Sequence, residues 1–177
     1  MIFELAAGTG YWTELLSASA LGILATDLND ETLAIARRRR YGCPVEFARA
    51  DAFSLGDPDG RFDAAFVGFW WSHVALAELP RFLASLHRRI GPGREIIVVD
   101  NRDVEGSNHP LSRRDADGNT YQLRPLKSGA CYEVRKNFPG EPELARALVG
   151  HAAGPPELEL LTYYWLLRYR SAPSPAV

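Results

Sequence analysis

One short unit near the start constrains this chain more than anything else in it: an apolar run that closes on a glycine turn and reopens as a helix. Ile2 to Ala6 reads as a buried strand, Ala7-Gly8-Thr9-Gly10 as the turn, and Tyr11 to about Ser19 as a helix with Trp12, Leu15 and Leu16 on one face. A turn of this kind lets the backbone approach a ligand closely. It also aims the N–H groups of the helix start at that ligand.

The alternation continues, and short apolar runs between helix-like stretches predict a parallel sheet with crossover helices. Leu21 to Thr26 is a second strand closed by Asp27, and Asn29 is placed to cap a helix running to about Arg40. Val45 to Arg49 is a third strand closed by Asp51, and Phe62 to Gly68 a fourth. A helix from about Pro80 to Ile90 stops at Gly91-Pro92-Gly93, and Ile96 to Asp100 is the fifth strand. Residues 102–120 are polar and show no periodicity. Tyr121 to Leu126 and Cys131 to Lys136 flank Lys127-Ser128-Gly129 as a hairpin, and Asp115 to Asn119 is a turn. A short helix over Glu143 to Val149 precedes an aromatic-rich strand region, Leu158 to Arg170, and a frayed tail, Ser171 to Val177. The expected fold class is α/β, a Rossmann-like doubly wound, mostly parallel sheet with flanking helices. One domain spans residues 1–177, with 102–138 as an insertion carrying the hairpin.

Bulk properties exclude several functions. With 177 residues and a net charge of −2, the chain offers no basic stripe for nucleic acid or an anionic membrane. Cys43 and Cys131 lack CxxC spacing, so they read as two buried thiols; no metal site or iron–sulfur cradle can be assembled. Met1 leads straight into a strand without a basic leader, and no apolar run spans a bilayer, so a cytoplasmic protein is expected.

The chemistry lies where the strands end. In a doubly wound sheet the glycine turn, Asp27 and Asp51 meet along one edge. An acid after the second strand suits the two hydroxyls of a ribose. One after the third suits an adenine amine, with the Ala52 N–H meeting a ring nitrogen. A dinucleotide fingerprint would need a small residue where Thr13 stands, and it gives Glu4 no role. A nucleoside with an amino-acid tail and a sulfonium cation does give Glu4 a role.

Glu4-Leu5-Ala6-Ala7-Gly8-Thr9-Gly10, Ala25-Thr26-Asp27-Leu28 and Arg49-Ala50-Asp51-Ala52-Phe53 together resemble the cofactor loops of class I S-adenosylmethionine-dependent methyltransferases. Arg61 to Val67, followed by Gly68-Phe69-Trp70, resembles their fourth strand. Gly68 to Val74 with Val99-Asp100-Asn101-Arg102 resembles a bacterial branch acting on small molecules. The resemblance implies S-adenosylmethionine as cofactor and S-adenosylhomocysteine as product. It assigns cofactor binding to Glu4, Ala6, Ala7, Gly8, Thr9, Gly10, Asp27, Leu28, Asp51, Ala52, Gly68 and Phe69. Trp70, Trp71, Arg102 and Tyr121 become candidate substrate contacts, with core packing as the competing role of the tryptophans and an ion pair with Asp103 or Asp100 as that of Arg102. His73 becomes a candidate general base, with hydrogen bonding inside the following helix as its competing role. Ala6 stands where the family has its first glycine.

Asp63, at the opposite end of the fourth strand, reads as structural, and the Arg37 to Arg40 run, which looks like a basic patch, reads as a solvated helix end. Tyr163, Tyr164 and Trp165 suit the core of a late strand. Tyr121, Arg124, Tyr132 and Arg135 of the insertion suit a substrate wall or a homodimer contact, with an ordinary solvated surface as the simpler account. No Asp/Asn-Pro-Pro-Tyr sequence follows the fourth strand, which disfavours amide or adenine methylation. The expected reaction is direct methyl transfer to a small-molecule acceptor. The family's usual N-terminal helices have no counterpart before Met1. A lid-deficient binding module working with a partner chain is therefore the alternative, and a nucleotide-dependent oxidoreductase a third.

Overall fold

The computed structural model describes residues 1–126 and 129–173. Seven strands form the main sheet in the order β3-β2-β1-β4-β5-β10-β9. Here β1 is Ile2–Leu5, β2 Ile23–Asp27, β3 Val45–Arg49, β4 Ala64–Gly68 and β5 Glu95–Asn101, and these five run parallel. The late strands β9 (Glu157–Leu160) and β10 (Tyr164–Arg170) form an antiparallel hairpin that pairs with β5 through β10. The chain steps outward from β1 to β3, then crosses back to place β4 on the other side of β1. The crevice at that reversal is where open α/β sheets take their ligands.

The helices are α1 (Tyr11–Ser17), α2 (Asp30–Ala36), α3 (Leu79–Ile90) and α4 (Glu141–Ala147). Asn29 caps α2 by accepting a hydrogen bond from the Glu31 N–H at 2.9 Å. The longest, α3, is entered through Pro80, carries His87, Arg88 and Arg89 in its last turn, and stops at Gly91 with φ +84°. It buries Phe82, Leu83, Leu86 and Ile90 against Phe3, Leu5, Val67, Ile96 and Trp165 of the sheet. Each such side chain contributes about 2 kcal/mol by leaving water. The opposite face is thinner: Ala7, Ile23 and Ala25, with Leu16, Ala20 and Val45 packed against them. That imbalance matters, because the heavier layer anchors the sheet under β4 and β5.

A second sheet, β6-β7-β8, consists of Leu111–Arg114, Thr120–Pro125 and Cys131–Arg135. The expected hairpin is β7 with β8; the residues of its turn, Lys127 and Ser128, lie outside the described set. Strand β6 falls within the stretch expected to be irregular. All four of its residues are exposed, so no apolar face existed to betray it. A buried polar cluster docks this sheet on the main one. Lys136 Nζ lies 3.0 Å from Asp100 Oδ1 and donates to Ser72 Oγ at 2.6 Å. The Asn137 amide donates to the Val74 carbonyl at 2.9 Å.

Several expectations need correcting. Helix α1 turns Thr13, Leu16 and Ser17 inward, one face at spacings of three and four, which leaves Leu15 exposed. The long strand region breaks at 161–163 into β9 and β10. Of the three aromatic residues at that break only Trp165 enters the core, with Leu167 and Tyr169 further along β10; Tyr163 and Tyr164 are solvent-accessible at the hairpin end. Cys131 is exposed on β8 and Cys43 half-buried, so they are not a buried pair. Ser171 is fully buried and pairs with Ala152, so the tail does not fray there, and 174–177 lie outside the described residues. No helix among the described residues is long and apolar enough to cross a membrane.

Candidate cofactor and substrate site

The turn after β1 is held from three sides. Gly10 N–H closes it on the Ala7 carbonyl at 3.0 Å, and Ala7 N–H donates to the Thr26 carbonyl of the neighbouring strand at 2.9 Å. The third hold is a side chain: Asp27 Oδ2 accepts from Gly8 N–H at 2.8 Å, while Oδ1 accepts from Asn29 N–H at 2.9 Å. A carboxylate offers about four acceptor positions, so Asp27 keeps about two free. The next loop is tied in through Ala50 N–H, which donates to the Asp27 carbonyl at 3.0 Å. Asp51 Oδ1 accepts from Phe53 N–H at 2.9 Å, which turns the loop and brings Ala52 inward.

The two glycines of the turn serve different ends. A Cβ at Gly10 would collide with the Tyr41 hydroxyl and lie 3.0 Å from Ala36 Cβ, so this glycine permits helix packing. A Cβ at Gly8 would meet nothing within 4 Å: the space above it is open, as a site for a closely approaching ligand requires. Ala6 (φ +54°) and Phe69 (φ +55°), ending β1 and β4, both adopt the left-handed conformation that favours glycine. Such strain persists only where surrounding structure enforces it, and it gathers at binding sites. The φ of Ala6 shows that replacing the family's first glycine is not neutral for the backbone.

A recess of about 130 Å³ opens at this edge, lined by Leu5, Ala6, Asp27, Leu28, Ala50, Asp51, Ala52 and Trp70. Thus five of the anticipated cofactor residues, Ala6, Asp27, Leu28, Asp51 and Ala52, share one concavity with Trp70. Glu4, two residues before Ala6 and outside this lining, is 1% exposed, with Oε2 buried and lacking a partner. Burial pushes its carboxyl up to about 7, a shift that the neighbouring Thr13 hydroxyl only partly offsets. Gly68 is required by Trp12, whose Cδ1 would sit 2.9 Å from an added Cβ. The Phe69 ring stands between Trp12 and Tyr164, with centroids 5.8 and 5.6 Å away. A buried carboxylate without a partner, an open glycine and two acids with spare acceptor capacity fit a nucleoside ligand that carries a positive charge.

Four anticipated residues sit elsewhere. Trp71 is 2% exposed and packs edge-on against Phe82 and Trp165, so it is core and not a substrate wall. The His73 ring is pinned to β8: its Nδ1 lies 2.8 Å from the Arg135 carbonyl, and Arg135 returns a bond to the His73 carbonyl at 3.3 Å. Burial, then the charge of Lys136, depress its pKa. These contacts give His73 a docking role and none in the recess. The Arg102 guanidinium donates to the Leu161 carbonyl, fastening the β9–β10 turn. The Tyr121 hydroxyl is engaged by Asp115 at 2.8 Å, and its ring lies under the Arg113 guanidinium at 3.7 Å.

One contributor escaped the sequence reading. Arg39, expected to be a solvated helix end, donates through Nε to the Thr9 carbonyl at 2.7 Å and pairs with Glu14 at 2.8 Å. It braces the glycine turn from behind. No local pattern signals this, because its partner lies thirty positions away.

An α/β sheet that reverses at β1 and β4, with a glycine turn and two acids at the reversal, defines the class I methyltransferase architecture. A family model described as "Methyltransferase domain" matches residues 2–93, and the chain belongs to that family. Among curated relatives, a demethylmenaquinone methyltransferase of Thermus thermophilus is 36% identical over 103 residues, covering 56% of this chain and 46% of the relative. The counterpart from Clavibacter sepedonicus is 37% identical over 117 residues, covering 66% and 46%. The chain therefore spans about half the length of the curated relatives it matches. Among solved structures, the DhpI–SAH complex superposes with a TM-score of 0.76 at 28% identity, covering 98% of this chain and 77% of that one. A Methanosarcina mazei SAM-dependent methyltransferase at 17% identity has a TM-score of 0.74 and covers 98% and 92%, a likeness of fold.

Proposed function

We propose that this protein binds S-adenosylmethionine and transfers its methyl group to a small-molecule acceptor. The observation that carries the reading is the convergence of the end of β1, Asp27 and Asp51 on one recess, with Asp27 bonded to Gly8 of the glycine turn. The free acceptor positions of Asp27 suit the two ribose hydroxyls. The outer oxygen of Asp51 suits the adenine amine, and Ala52 the adjoining ring edge. Glu4, whose carboxyl is pushed up to about 7 by burial, would be drawn into its charged form by a cationic ligand bound beside it. When bound, the cofactor brings a sulfonium methyl that is already electrophilic. The chain's own work is then to orient that group, to wall it with Phe69 and Trp70, and to keep water out.

The names of the curated relatives favour a quinone-type ring as acceptor, and a small-molecule acceptor in general is supported by DhpI, whose structures include a DhpI–SAM–HEP complex. Isothermal titration with S-adenosylhomocysteine and with NAD tests the cofactor assignment. Tight binding of the first alone is expected, and no binding at millimolar concentration would overturn the proposal. Asp27→Ala removes hydrogen bonds made by a charged acceptor and should weaken S-adenosylhomocysteine by about 1.5–3 kcal/mol, roughly ten- to a hundredfold in Kd. Unchanged affinity would take Asp27 out of the site.

A further inference from the structure

A second cavity, of about 440 Å³, lies at the same edge of the sheet, one strand beyond the recess. Its walls are Asn101 at the end of β5, the loop residues Glu105, Ser107 and Asn108, and Tyr163 and Tyr164 of the β9–β10 turn. Asn101 and Tyr164 face each other across paired strands, and Phe69 N–H donates to the Val99 carbonyl at 2.8 Å. The cavity therefore adjoins the end of β4. The Phe69 ring, in contact with both Trp12 and Tyr164, makes an aromatic surface continuous from α1 to this cavity. Its size is that of a small-molecule site, whereas the recess beside Asp27 is smaller.

The lining is one-sided in charge. Glu105 is exposed, and among the described residues no cation pairs with it or lines the cavity. The cation nearest in sequence, Arg102, is turned away: its guanidinium serves the Leu161 carbonyl and its N–H the Tyr163 carbonyl at 2.9 Å. The Asn108 amide is likewise spent on the Arg102 carbonyl at 2.7 Å. Two half-open tyrosine rings, the neutral Asn101 amide and the Glu105 carboxylate are left to meet a ligand. An anionic acceptor would find repulsion here and no guanidinium to receive it. A planar ring finds stacking surface, and a positive group finds both Glu105 and the ring faces.

We propose that this cavity holds the methyl acceptor, and that the acceptor is a ring-bearing molecule, neutral or cationic, and not an anion. The inference rests on the methyltransferase reading above and names the substrate class of that site. It requires no residue of this chain to become charged or uncharged.

The test uses three ligands that share one phenol ring and differ in charge: tyramine, 4-ethylphenol and 4-hydroxyphenylacetate. Each is titrated against the purified protein, loaded with S-adenosylhomocysteine and unloaded, at low salt. Tyramine should bind about fivefold tighter than 4-hydroxyphenylacetate, with 4-ethylphenol between, as expected of one accessible charge. Glu105→Gln, a surface substitution, should bring tyramine and 4-ethylphenol to equal affinity. Tyr164→Ala should weaken all three alike. The proposal fails if the anion binds as well as the cation, if no ring binds, or if Glu105→Gln leaves the ratio unchanged. Failure of S-adenosylhomocysteine to bind would instead strike the cofactor assignment, and the titrations of unloaded protein would still decide the cavity's charge preference.

Discussion

The two ends of the seven-stranded sheet follow opposite rules. Where the parallel strands begin, polar groups are matched. The Met1 ammonium and Arg94 both meet Asp63; Arg168 and Arg170 both meet Glu95; Ser171 Oγ donates to the Gly91 carbonyl and accepts from Arg94 N–H. Where the strands finish, Ala6 and Phe69 hold left-handed backbones, and Glu4 Oε2, Trp12 Nε1 and Trp70 Nε1 are buried without partners. One sheet thus keeps its stitching at one end and its strain and unspent polar capacity at the other. The difference teaches where to look for a ligand: local rules are broken where binding compensates for the breach.

The ion pairs at the starting end are exposed, and exposed pairs stabilise little, which gives the largest contrast to test. Lys136 and Asp100, beside the finishing end, are 2% and 0% exposed. Burial lowers the Lys136 pKa, with the Asp100 charge opposing the shift. Lys136→Met leaves Asp100 buried without its cation and should cost about 3–5 kcal/mol in urea denaturation. Arg168→Met, which breaks the exposed pairing to Glu95, should cost no more than about 1 kcal/mol. Equal losses would mean that burial does not distinguish the two ends.

Acidity supplies the next contrast, because each end holds a buried titratable group and their signs differ. Glu4 is raised to about 7 by burial, so between roughly pH 4.5 and 7 the folded state keeps a proton that the unfolded chain has released. Its contribution to stability is therefore present at low pH and lost as pH rises through that window. His87, whose Nε2 lies 2.9 Å from the Tyr169 hydroxyl, is lowered to about 4, chiefly by burial and then by His151. Between about pH 6.5 and 4 the unfolded chain holds the extra proton, so stability falls as pH falls. Each effect is on the order of 3 kcal/mol, and in the intact protein they oppose each other. With these two largely cancelling, stability from pH 4.5 to 6.5 should rise only gently with pH, through His73 and His151, which burial also depresses. Glu4→Gln should unmask a steeper rise with pH, and His87→Asn a fall, in denaturation series at pH 5, 6 and 7. Identical slopes in the two variants would show that these groups do not govern the acid response.

The features legible in the sequence were those that a strand and its own next turn determine. The glycine turn, Asp27 and Asp51 each follow directly on an apolar run, and the alternation of runs with helices implies the sheet that brings them to one edge. What escaped depends on partners far along the chain. Arg39 braces Thr9, Lys136 neutralises Asp100, and His73 is drawn to Arg135, sixty-two positions on. Trp71 and Trp70 are neighbours with the same side chain, yet one is core and the other lines the recess; a 3-10 turn at 71–73 decides between them. Strand β6 has no buried face and therefore left no periodic trace. In each case the missing information is a tertiary contact that no local pattern carries.

The smallest effect bears most directly on whether strain at the finishing end belongs to the site. Ala6 has φ +54°, a conformation in which a side chain costs about 1–2 kcal/mol. Glycine would relieve that cost, while its freer unfolded chain returns about 0.5–1 kcal/mol. Ala6→Gly should therefore stabilise the protein by about 0.5–1 kcal/mol, raising Tm by roughly 1–4 °C for a chain of this length. Phe69→Gly relieves the same kind of strain but deletes a ring packed between Trp12 and Tyr164, so it should destabilise instead. The two glycine substitutions separate backbone strain from side-chain packing. If Ala6→Gly lowers stability, the contact of the Ala6 methyl with the core outweighs the strain. If it raises stability and S-adenosylhomocysteine affinity is unchanged, the strain is incidental. If stability rises while affinity falls, the strained alanine holds the turn in the shape the ligand needs, and the contrast between the two ends is functional.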